Sequence, residues 1–362
     1  MHSTAMRRAV VRVGAGIVPL LLLTLCVSVV VALSPTLHGV SPPPEECSAS
    51  SPRLLPPSVW ERLQSQRGMR WRAAPNHLTA LSLCEARQLV SQHREMVQRL
   101  SLHPWPETKG QMTESKGFGA EGKGQVATLP SHFSALERWG PCIHPILDQG
   151  ACGSCWAFSA SEVLSDMFCI ASNGTQDVVL SPQYLTSCDY TNLGCNGGLP
   201  PSVWWWMKHK GLVSADCMPY TAGKNGTVEH CLKDNQCKDP SVPFQLYQAK
   251  NYTHLFDVLS LKTTCERIME HIMNVGPVQA GFLVFEDFMA YSSGVYHYVS
   301  GRLVGAHAVK VVGWGEENGD PYWLVANSWG TNWGLSGFFK IARCVEECGF
   351  EVEVYGGEPL LL

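Results

Sequence analysis

The chain has 362 residues, of which 45% are hydrophobic, so it has enough material for a buried core and for more than one structural unit. Its formal net charge is −4 and it has no block of basic residues, which argues against nucleic acid as a partner. Fifteen cysteines are more than a reducing compartment favours, and they indicate disulfide bonds formed in an oxidising environment.

The N-terminal residues predict a targeting segment. Arg7, Arg8 and Arg12 precede an apolar run over residues 13–33. This run is long for a signal peptide and just long enough to span a bilayer, so residues 1–33 are either a cleaved signal peptide or a retained signal anchor. In both cases we expect the remainder to enter the secretory pathway, with membrane attachment only if the segment stays uncleaved.

Residues 34–128 differ in composition from the rest of the chain. Proline-rich stretches predict loops, and the glycine-rich residues 117–124 predict an exposed linker. Between them, residues 58–66 and 82–100 have helical patterns. We therefore treat this region as a segment separate from the unit that begins near residue 129.

The stretch over residues 149–158 (QGACGSCWAF) contains a candidate nucleophile. A glycine-rich loop gives way to a helical pattern at Cys155, which would therefore lie at or near a helix N-terminus. Unpaired amides and the helix dipole favour a thiolate there. Gln149, six residues upstream, carries an uncharged N–H that could stabilise a developing oxyanion.

Other interpretations of this stretch stay open at this point. Cys152 and Cys155 also form a Cys-x-x-Cys motif, which elsewhere marks a redox pair, half of a zinc site or a structural disulfide. Downstream, His307 lies in an apolar, strand-like run, and Asn327 ends another such run. Each alone is typical of an ordinary core or turn residue. Together with Cys155 they supply the nucleophile, base and orienting residue of a Cys-His-Asn site.

Four ordered stretches, QGACGSCWAFS, GCNGG, GAHAV and ANSWGTNWG, resemble those of the papain family of cysteine peptidases, and the resemblance covers about residues 129–357. Within the family, KHKGLVSADCMPY and CGFEVEV are most similar to the cathepsin B-like branch. The resemblance implies a papain-like α+β fold with a helical left lobe and a β-barrel-like right lobe. The order of a helix-containing half followed by strand-like runs fits two lobes with a cleft between them.

The expected domain organisation follows from this resemblance. Residues 1–33 are the signal peptide or anchor, residues 34–128 an inhibitory propeptide, and residues 129–362 the peptidase domain. The stretch from Trp71 to Asn76 resembles the W-x-A-x-x-N signature of cathepsin B-like propeptides. Such a segment would cross the active cleft and leave after cleavage near residues 127–130. The alternative is an unrelated N-terminal extension.

The resemblance also implies a mechanism. Cys155 and His307 would exist largely as thiolate and imidazolium, and the thiolate would attack a peptide carbonyl to form an acyl-enzyme. Asn327 would orient the ring of His307, and Trp329 would cover their hydrogen bond from water. Gln149 and the backbone N–H of Cys155 would bind the oxyanion.

Substrate binding is predicted from the same comparison. Gly197 and Gly198 would let a substrate backbone pair along one wall of the cleft, and Glu353 would lie at the base of the main specificity pocket, where it would accept arginine. The occluding loop of cathepsin B carries two adjacent histidines. Here the corresponding residues 221–239 are few and contain only His230, so we expect a reduced loop and an endopeptidase.

The resemblance implies four disulfides and leaves other cysteines open. The implied pairs are Cys142–Cys169, Cys152–Cys195, Cys188–Cys231 and Cys217–Cys237. The second pair would separate Cys152 from Cys155. Cys265, Cys344 and Cys348 remain, so at least one stays free within the domain, and Cys47 and Cys84 could bridge within the propeptide.

Further expectations concern modification, cofactors and partners. Asn173, Asn225 and Asn251 begin glycosylation sequons. Once the disulfides are assigned, no cysteine or histidine spacing calls for zinc, so we expect neither metal nor cofactor. The expected partners are protein and peptide substrates, the propeptide as inhibitor, and cystatin-like inhibitors.

Three functions compete. The first is a cysteine endopeptidase, made as a zymogen for a lysosome-like compartment, a vacuole or the outside of the cell. The second is a catalytically silent papain-fold binding protein, whose usual mark is a lost nucleophile. The third is a thiol–disulfide oxidoreductase that uses Cys152 and Cys155. We favour the first, because the nucleophile, base, orienting residue and oxyanion donor are all present.

Overall fold

The computed structural model describes Cys47 and residues 51–66, 68–102 and 129–362. The targeting segment, the glycine-rich residues 117–124 and residues 127–128 of the expected cleavage region (127–130) lie outside the described residues. Within the described part of the chain, none of the helices is both long enough and apolar enough to cross a membrane. Residues 51–66 and 68–102 are called the N-terminal segment below.

The described residues form eight α-helices. They are α1 (Pro57–Ser65), α2 (Leu83–Gln88), α3 (Arg94–Ser101), α4 (Ala135–Trp139), α5 (Cys155–Ala171), α6 (Pro182–Cys188), α7 (Pro200–His209) and α8 (Leu261–Asn274).

The nine strands of the described residues belong to one sheet. They are β1 (Trp71–Ala73), β2 (Phe133–Ser134), β3 (Ala249–His254), β4 (Val278–Phe285), β5 (Tyr291–Tyr296), β6 (Leu303–Glu317), β7 (Asp320–Ala326), β8 (Phe338–Ala342) and β9 (Glu353–Pro359). Their order is β1-β5-β8-β7-β6-β4-β9-β3, and β2 pairs with β6 beside this path. Only β5 and β8 pair in parallel.

The sheet is open, whereas we expected a barrel-like right lobe. One edge is β3, which pairs with β9. The ring of Tyr252 on β3 stacks with that of Trp204 on α7, with centroids 6.2 Å apart. Helix α7 therefore packs against this end of the sheet. The other edge is β1, which comes from the N-terminal segment.

Helix α5 lies at the centre of the molecule. It has 17 residues, and fifteen of them are buried. It packs against α6, α7, β6 and β9. Because a helix that is buried all round has no solvent face, its polar side chains need partners inside the protein. This burial also fixes its N-terminus, Cys155, in the interior.

The helical pattern over residues 82–100 is interrupted in the structure. Helix α2 ends at Gln88 and α3 begins at Arg94, and the chain between them is extended at Ser91, which forms an isolated antiparallel bridge with Ala306 of β6. The expectation of continuous helix was wrong because backbone pairing with β6 replaces the helical hydrogen bonds at this point.

The structure contains six disulfides, and two cysteines of its described residues, Cys155 and Cys348, are free and buried. All four pairs implied by the sequence resemblance are formed. The other two are Cys47–Cys84, which joins Cys47 to the N-terminal segment, and Cys265–Cys344, which joins α8 to the residues after β8.

The N-terminal segment docks on the sheet through one tryptophan and one asparagine. Trp71 is 2% exposed, its ring lies 5.1 Å from that of Tyr296, and its Nε1 donates to the carbonyl of His297 at 2.9 Å. Asn76 donates from Nδ2 to the carbonyl of Met289 at 2.9 Å. These contacts bind the N-terminal segment to residues at both ends of β5.

Replacement of Trp71 by alanine should destabilise the full chain. Trp71→Ala removes a buried ring and leaves a cavity, so we expect the free energy of unfolding to fall by about 3–5 kcal/mol. Trp205→Ala is the matched control, because Trp205 is 39% exposed; its effect should stay below about 1 kcal/mol. Denaturant unfolding of the two variants measures both values. Equal losses would contradict the assignment of Trp71 as the anchor.

Candidate active site

Local backbone geometry places Cys155 at the first position of α5. Gly150 has a φ of +55°, which a glycine adopts without strain. Gly153 donates its N–H to the carbonyl of Cys195 at 2.9 Å, and a Cβ on Gly153 would lie only 2.4 Å from that oxygen. Glycine at these positions therefore lets the loop turn tightly into the helix, beside the Cys152–Cys195 disulfide.

The sheet brings His307 and Asn327 together. His307 lies on β6, and β7 runs antiparallel to it with Ala326 opposite Lys310, so the next residue, Asn327, lies near His307. Asn327 Oδ1 is 2.7 Å from His307 Nε2 and also accepts the N–H of Ser328 at 2.8 Å. Because an N–H group donates to this oxygen, it is the acceptor, and His307 carries a proton on Nε2.

Trp329 covers the histidine ring, as the sequence resemblance implied. The two rings stack with centroids 4.6 Å apart and an interplanar angle of 24°. His307 and Trp329 are 0% and 2% exposed. Nδ1 of His307 is buried and has no hydrogen-bond partner among the described residues. This nitrogen is therefore the one available for proton transfer.

The sulfur of Cys155 lies beside β6. Burial raises the pKa of Cys155 to about 11, and backbone groups of Ala308 and Ser91 have a smaller, opposing effect. Burial also lowers the pKa of His307 to about 4, against the opposing effect of Asn327.

Burial therefore disfavours the charged form of both groups in this structure. We expected a thiolate and an imidazolium from the sequence, but Nδ1 of His307 has no partner, so the sulfur does not hydrogen-bond to it here. The physical reason is the overlying N-terminal segment, which excludes water and thus disfavours both charges. The ion pair remains a prediction for the uncovered site.

Gln149 is fully buried next to Cys155, and its side chain is held at both ends. Oε1 accepts from Ser328 Oγ at 2.6 Å. Nε2 donates to the carbonyls of Cys152 at 2.7 Å and Leu89 at 2.9 Å. The predicted oxyanion donor therefore binds a backbone carbonyl of the N-terminal segment in this structure.

The residues around Ser91 fill the cleft between the two walls. Ser91 donates its N–H to Ala306 at 2.7 Å and accepts the N–H of Ala306 at 3.0 Å. Three glycines leave space for the N-terminal segment as it crosses the cleft. A Cβ on Gly153 would lie 2.9 Å from Val90 O, one on Gly197 3.0 Å from Ser91 Cβ, and one on Gly305 2.7 Å from Val90 Cγ2.

The two glycines predicted to line the wall of the cleft, Gly197 and Gly198, have different surroundings in the structure. Gly197 faces Ser91, while a Cβ on Gly198 would lie 2.5 Å from the ring of Trp156. Gly197 donates to Gly194 and accepts from Leu193 within its own turn. Backbone pairing of a substrate at Gly198 remains a prediction.

Glu353 is a buried residue at the start of β9 with 5% of its side chain exposed. Its Oε1 lies 3.3 Å from Arg99 of α3, and Arg99 also pairs with Glu95 at 2.8 Å. On the neighbouring strand, a Cβ on Gly281 would lie 2.7 Å from Met96 Cε. Long side chains of the N-terminal segment thus reach the region where we predicted a specificity pocket.

The stretch over residues 221–239 is held close to the helical lobe by the disulfides Cys188–Cys231 and Cys217–Cys237. Its only histidine, His230, is exposed. No histidine pair of the kind found in an occluding loop lies in this stretch.

Sequence analysis did not identify several polar supports of the site. Tyr220 Oη donates to the carbonyl of Gln149 at 2.8 Å and lies 2.8 Å from Ser154 Oγ. Ser328 contacts both Gln149 and Asn327. Tyr220 and Ser328 lie in the motifs KHKGLVSADCMPY and ANSWGTNWG. This position within a motif was the sequence signal that could have identified them as supports of the site.

Comparisons with known proteins agree with this arrangement. Residues 129–357 match the family model described as papain family cysteine protease. The chain is 39% identical over 251 residues to a gut-specific cysteine proteinase of Caenorhabditis elegans, covering 64% of this chain and 74% of the relative. It is 40% identical over 259 residues to cathepsin B-like cysteine proteinase 5 of the same organism, covering 64% and 75%.

Solved structures of proforms are also similar. Procathepsin B S9 from Trypanosoma congolense matches with a TM-score of 0.69 and 32% identity, covering 85% of this chain and 99% of that one. The digestive procathepsin L2 of Tenebrio molitor matches with a TM-score of 0.61 and 25% identity, covering 83% and 88%.

Alkylation should distinguish the covered from the uncovered cysteine. In the full chain, burial keeps the Cys155 thiol protonated at neutral pH, so its iodoacetamide rate should rise with pH well into the alkaline range. After removal of the N-terminal segment, we expect a thiolate at mildly acidic pH and a rate about tenfold higher for each unit by which the pKa falls. Mass spectrometry of the labelled peptide measures both rates.

A Cys155→Ser variant corrects for labelling of Cys348, the other free cysteine of the described residues. Equal rates in the two forms at mildly acidic pH would show that the N-terminal segment does not control the ionisation.

Proposed function

This chain belongs to the papain family of cysteine proteases, and we propose that it is a cathepsin B-like endopeptidase made as a zymogen, with Cys155 as nucleophile and His307 as base. The observation that carries the proposal is the blocked site. Residues of the N-terminal segment pair with Ala306 and bind the predicted oxyanion donor Gln149, in the cleft that a substrate would occupy.

The mechanism begins when the N-terminal segment leaves and water enters the cleft. The proton of Cys155 then moves to Nδ1 of His307, because hydration favours both charges and each charge stabilises the other. The thiolate attacks the carbonyl carbon of the substrate. The oxyanion accepts hydrogen bonds from Gln149 Nε2, which Leu89 has vacated, and from the Cys155 N–H at the helix N-terminus.

His307 completes both halves of the reaction. Its Nδ1 proton passes to the leaving amine as the C–N bond breaks, which leaves an acyl group on the sulfur. The neutral ring then takes a proton from water as the water attacks the acyl-enzyme. The released acid departs and the thiolate returns. Throughout, Asn327 and Trp329 hold the ring by the hydrogen bond to Nε2 and by stacking.

We propose that residues 34–128 are an inhibitory propeptide. Its described part contains the residues that block the cleft. Ser91 pairs through its backbone N–H and carbonyl with Ala306, the residue before the proposed base His307. The carbonyl of Leu89 accepts from Nε2 of Gln149, the proposed oxyanion donor. These contacts place backbone of the proposed propeptide where a substrate would bind.

We further propose passage through the secretory pathway, with residues 1–33 as signal peptide or anchor and residues 129–362 as the mature enzyme. Six disulfides support an oxidising route. The three sequon asparagines, Asn173, Asn225 and Asn251, are exposed and accessible to glycosylation. A lysosome-like compartment, a vacuole or the extracellular space is the proposed destination, and cystatin-like proteins are proposed inhibitors.

The two alternative functions are less well supported. Cys152 bonds to Cys195, so it is not a redox partner for Cys155. A silent binding protein would need no nucleophile, base and oxyanion donor, yet Cys155, His307 and Gln149 are all present and buried together.

For specificity, we propose that the pocket at Glu353 accepts arginine as well as bulky apolar side chains. The contact of Arg99 with Glu353 supports this, because a guanidinium already reaches the buried carboxylate from within the chain.

The reduced loop should make the mature enzyme an endopeptidase. We expect a peptide with a free C-terminus and its C-terminal amide to be cleaved at rates within about threefold, because no histidine pair is there to bind the carboxylate. Mass spectrometry should find internal cleavage, and Cys155→Ala should abolish it. A strong preference for the free carboxylate, with removal of dipeptides, would contradict the endopeptidase proposal.

Glu353→Gln should alter selectivity. Loss of a buried charge partner should lower kcat/KM for a substrate with arginine in this pocket by about thirtyfold or more, while a phenylalanine substrate changes little. The control is Glu358→Gln, since Glu358 is exposed on the same strand. If the two substrates were affected equally, Glu353 would not be the arginine-binding group.

A further inference from the structure

A buried ion cluster joins the helix that carries the nucleophile to the strand that carries the base. Lys310 of β6 is 1% exposed and donates from Nζ to Asp166 Oδ2 of α5 at 2.7 Å. Glu162, one turn earlier on α5, lies 3.7 Å from the same ammonium. All three side chains are almost completely excluded from solvent.

The position of the cluster connects it to the reacting groups. Lys310 is three residues beyond His307 on β6, a distance of about 10 Å along the strand. Asp166 is eleven residues beyond Cys155 on α5, about 16 Å along the helix. Both elements are continuous and buried between these points, so the relative position of the two clustered side chains constrains that of the sulfur and the imidazole.

Gln279 binds the other end of the same helix. It lies opposite Lys310 in the pairing of β4 with β6. Its Nε2 donates to the carbonyl of Trp156 at 3.0 Å and to Ser159 Oγ at 2.8 Å, and Ser159 in turn donates to the carbonyl of Cys155 at 2.7 Å. Two residues that are neighbours across the sheet therefore hold α5 at its first turn and again about three turns later.

Other charged groups complete the cluster around Asp166. Its Oδ1 accepts the backbone N–H of His144 at 3.0 Å and lies 2.7 Å from His144 Nδ1. The other ring nitrogen of His144 lies 3.0 Å from Asp177, which is 54% exposed. Burial raises the pKa of Glu162 to about 7, against the effect of Lys310. Asp166 thus has a partner for each oxygen and directs one of them at Lys310.

A buried ion pair contributes little to the net free energy of unfolding. Removing two charges from water costs several kcal/mol per ion, and apolar residues of similar volume often stabilise as well or better. A hydrogen-bonded pair, in contrast, fixes one geometry where apolar contacts would allow sliding. We propose that Lys310 and Asp166 are positioning residues that hold the Cys155 helix in register with the His307 strand. This inference rests on the proposed peptidase function and assigns it a further functional pair.

The decisive test compares Lys310→Met with the double variant Lys310→Met, Asp166→Leu. The single variant leaves Asp166 without its cation and should lower both Tm and kcat. The double variant removes both charges and should recover Tm. If the pair positions the catalytic groups, kcat of the double variant should remain about tenfold or more below wild type with KM within about twofold, because small misplacements slow the chemical step.

Recovery of kcat together with Tm would overturn the proposal and leave a merely structural pair. If the double variant does not fold, Lys310→Arg replaces it, since it keeps the charge; a kcat as low as that of Lys310→Met would overturn the proposal. The matched control is Lys340→Met, which removes a 2.7 Å ion pair with Glu317 elsewhere in the sheet and should leave kcat unchanged.

The rate of Cys155 alkylation in the mature form gives a readout that does not require hydrolysis. It should fall in the double variant, because a displaced imidazole stabilises the thiolate less. A wild-type enzyme that is labelled but hydrolyses no peptide would refute the proposed function alone. An unchanged alkylation rate in the double variant would refute the positioning role alone.

Discussion

The structure depends on the packing of one buried helix against one sheet. The proposed nucleophile, Cys155, comes from α5 and the proposed base, His307, from β6, so neither element alone contains both groups. The contact between α5 and β6 is held by the apolar residues around α5, the amide of Gln279 and the ion pair of Lys310 with Asp166. The same interactions therefore set the relative position of Cys155 and His307. A papain-family active site in this chain is thus a property of the interface between two elements.

The proposed zymogen would use the same interface to keep one sequence in an inactive and an active state. Val90 and Ser91 are at most 1% exposed over the cleft, and Cys155 and His307 lie in surroundings that disfavour charge. Burial raises the pKa of Cys155 and lowers that of His307, and each shift favours the neutral group. Departure of the N-terminal segment would therefore open the cleft to substrate and to water together, so access and ionisation would need no separate switches.

Sequence patterns predicted the local features of the fold but not the features that depend on residues far apart in the chain. The helix start at Cys155 and strands β6 and β7, around His307 and before Asn327, follow from short-range patterns. The break before α3 was not predictable, because helical periodicity continues on both sides and the extended residue Ser91 depends on its partner Ala306. Lys310, a single charged residue in an apolar run, gave no sign that Asp166 is its partner. Likewise, local patterns do not show whether the sheet closes, because closure depends on which strands pair at its edges.

The way in which Leu89 and Ser91 block the cleft has a consequence for evolution. Their polar contacts with Gln149 and Ala306 are made by main-chain atoms, which every residue except proline can supply in full. The proposed latency would therefore depend on the path of the chain and not on a recognition sequence. Three glycines that line this path, Gly153, Gly197 and Gly305, would tolerate substitution poorly, since a Cβ at any of them would lie within 3.0 Å of an atom of Val90 or Ser91.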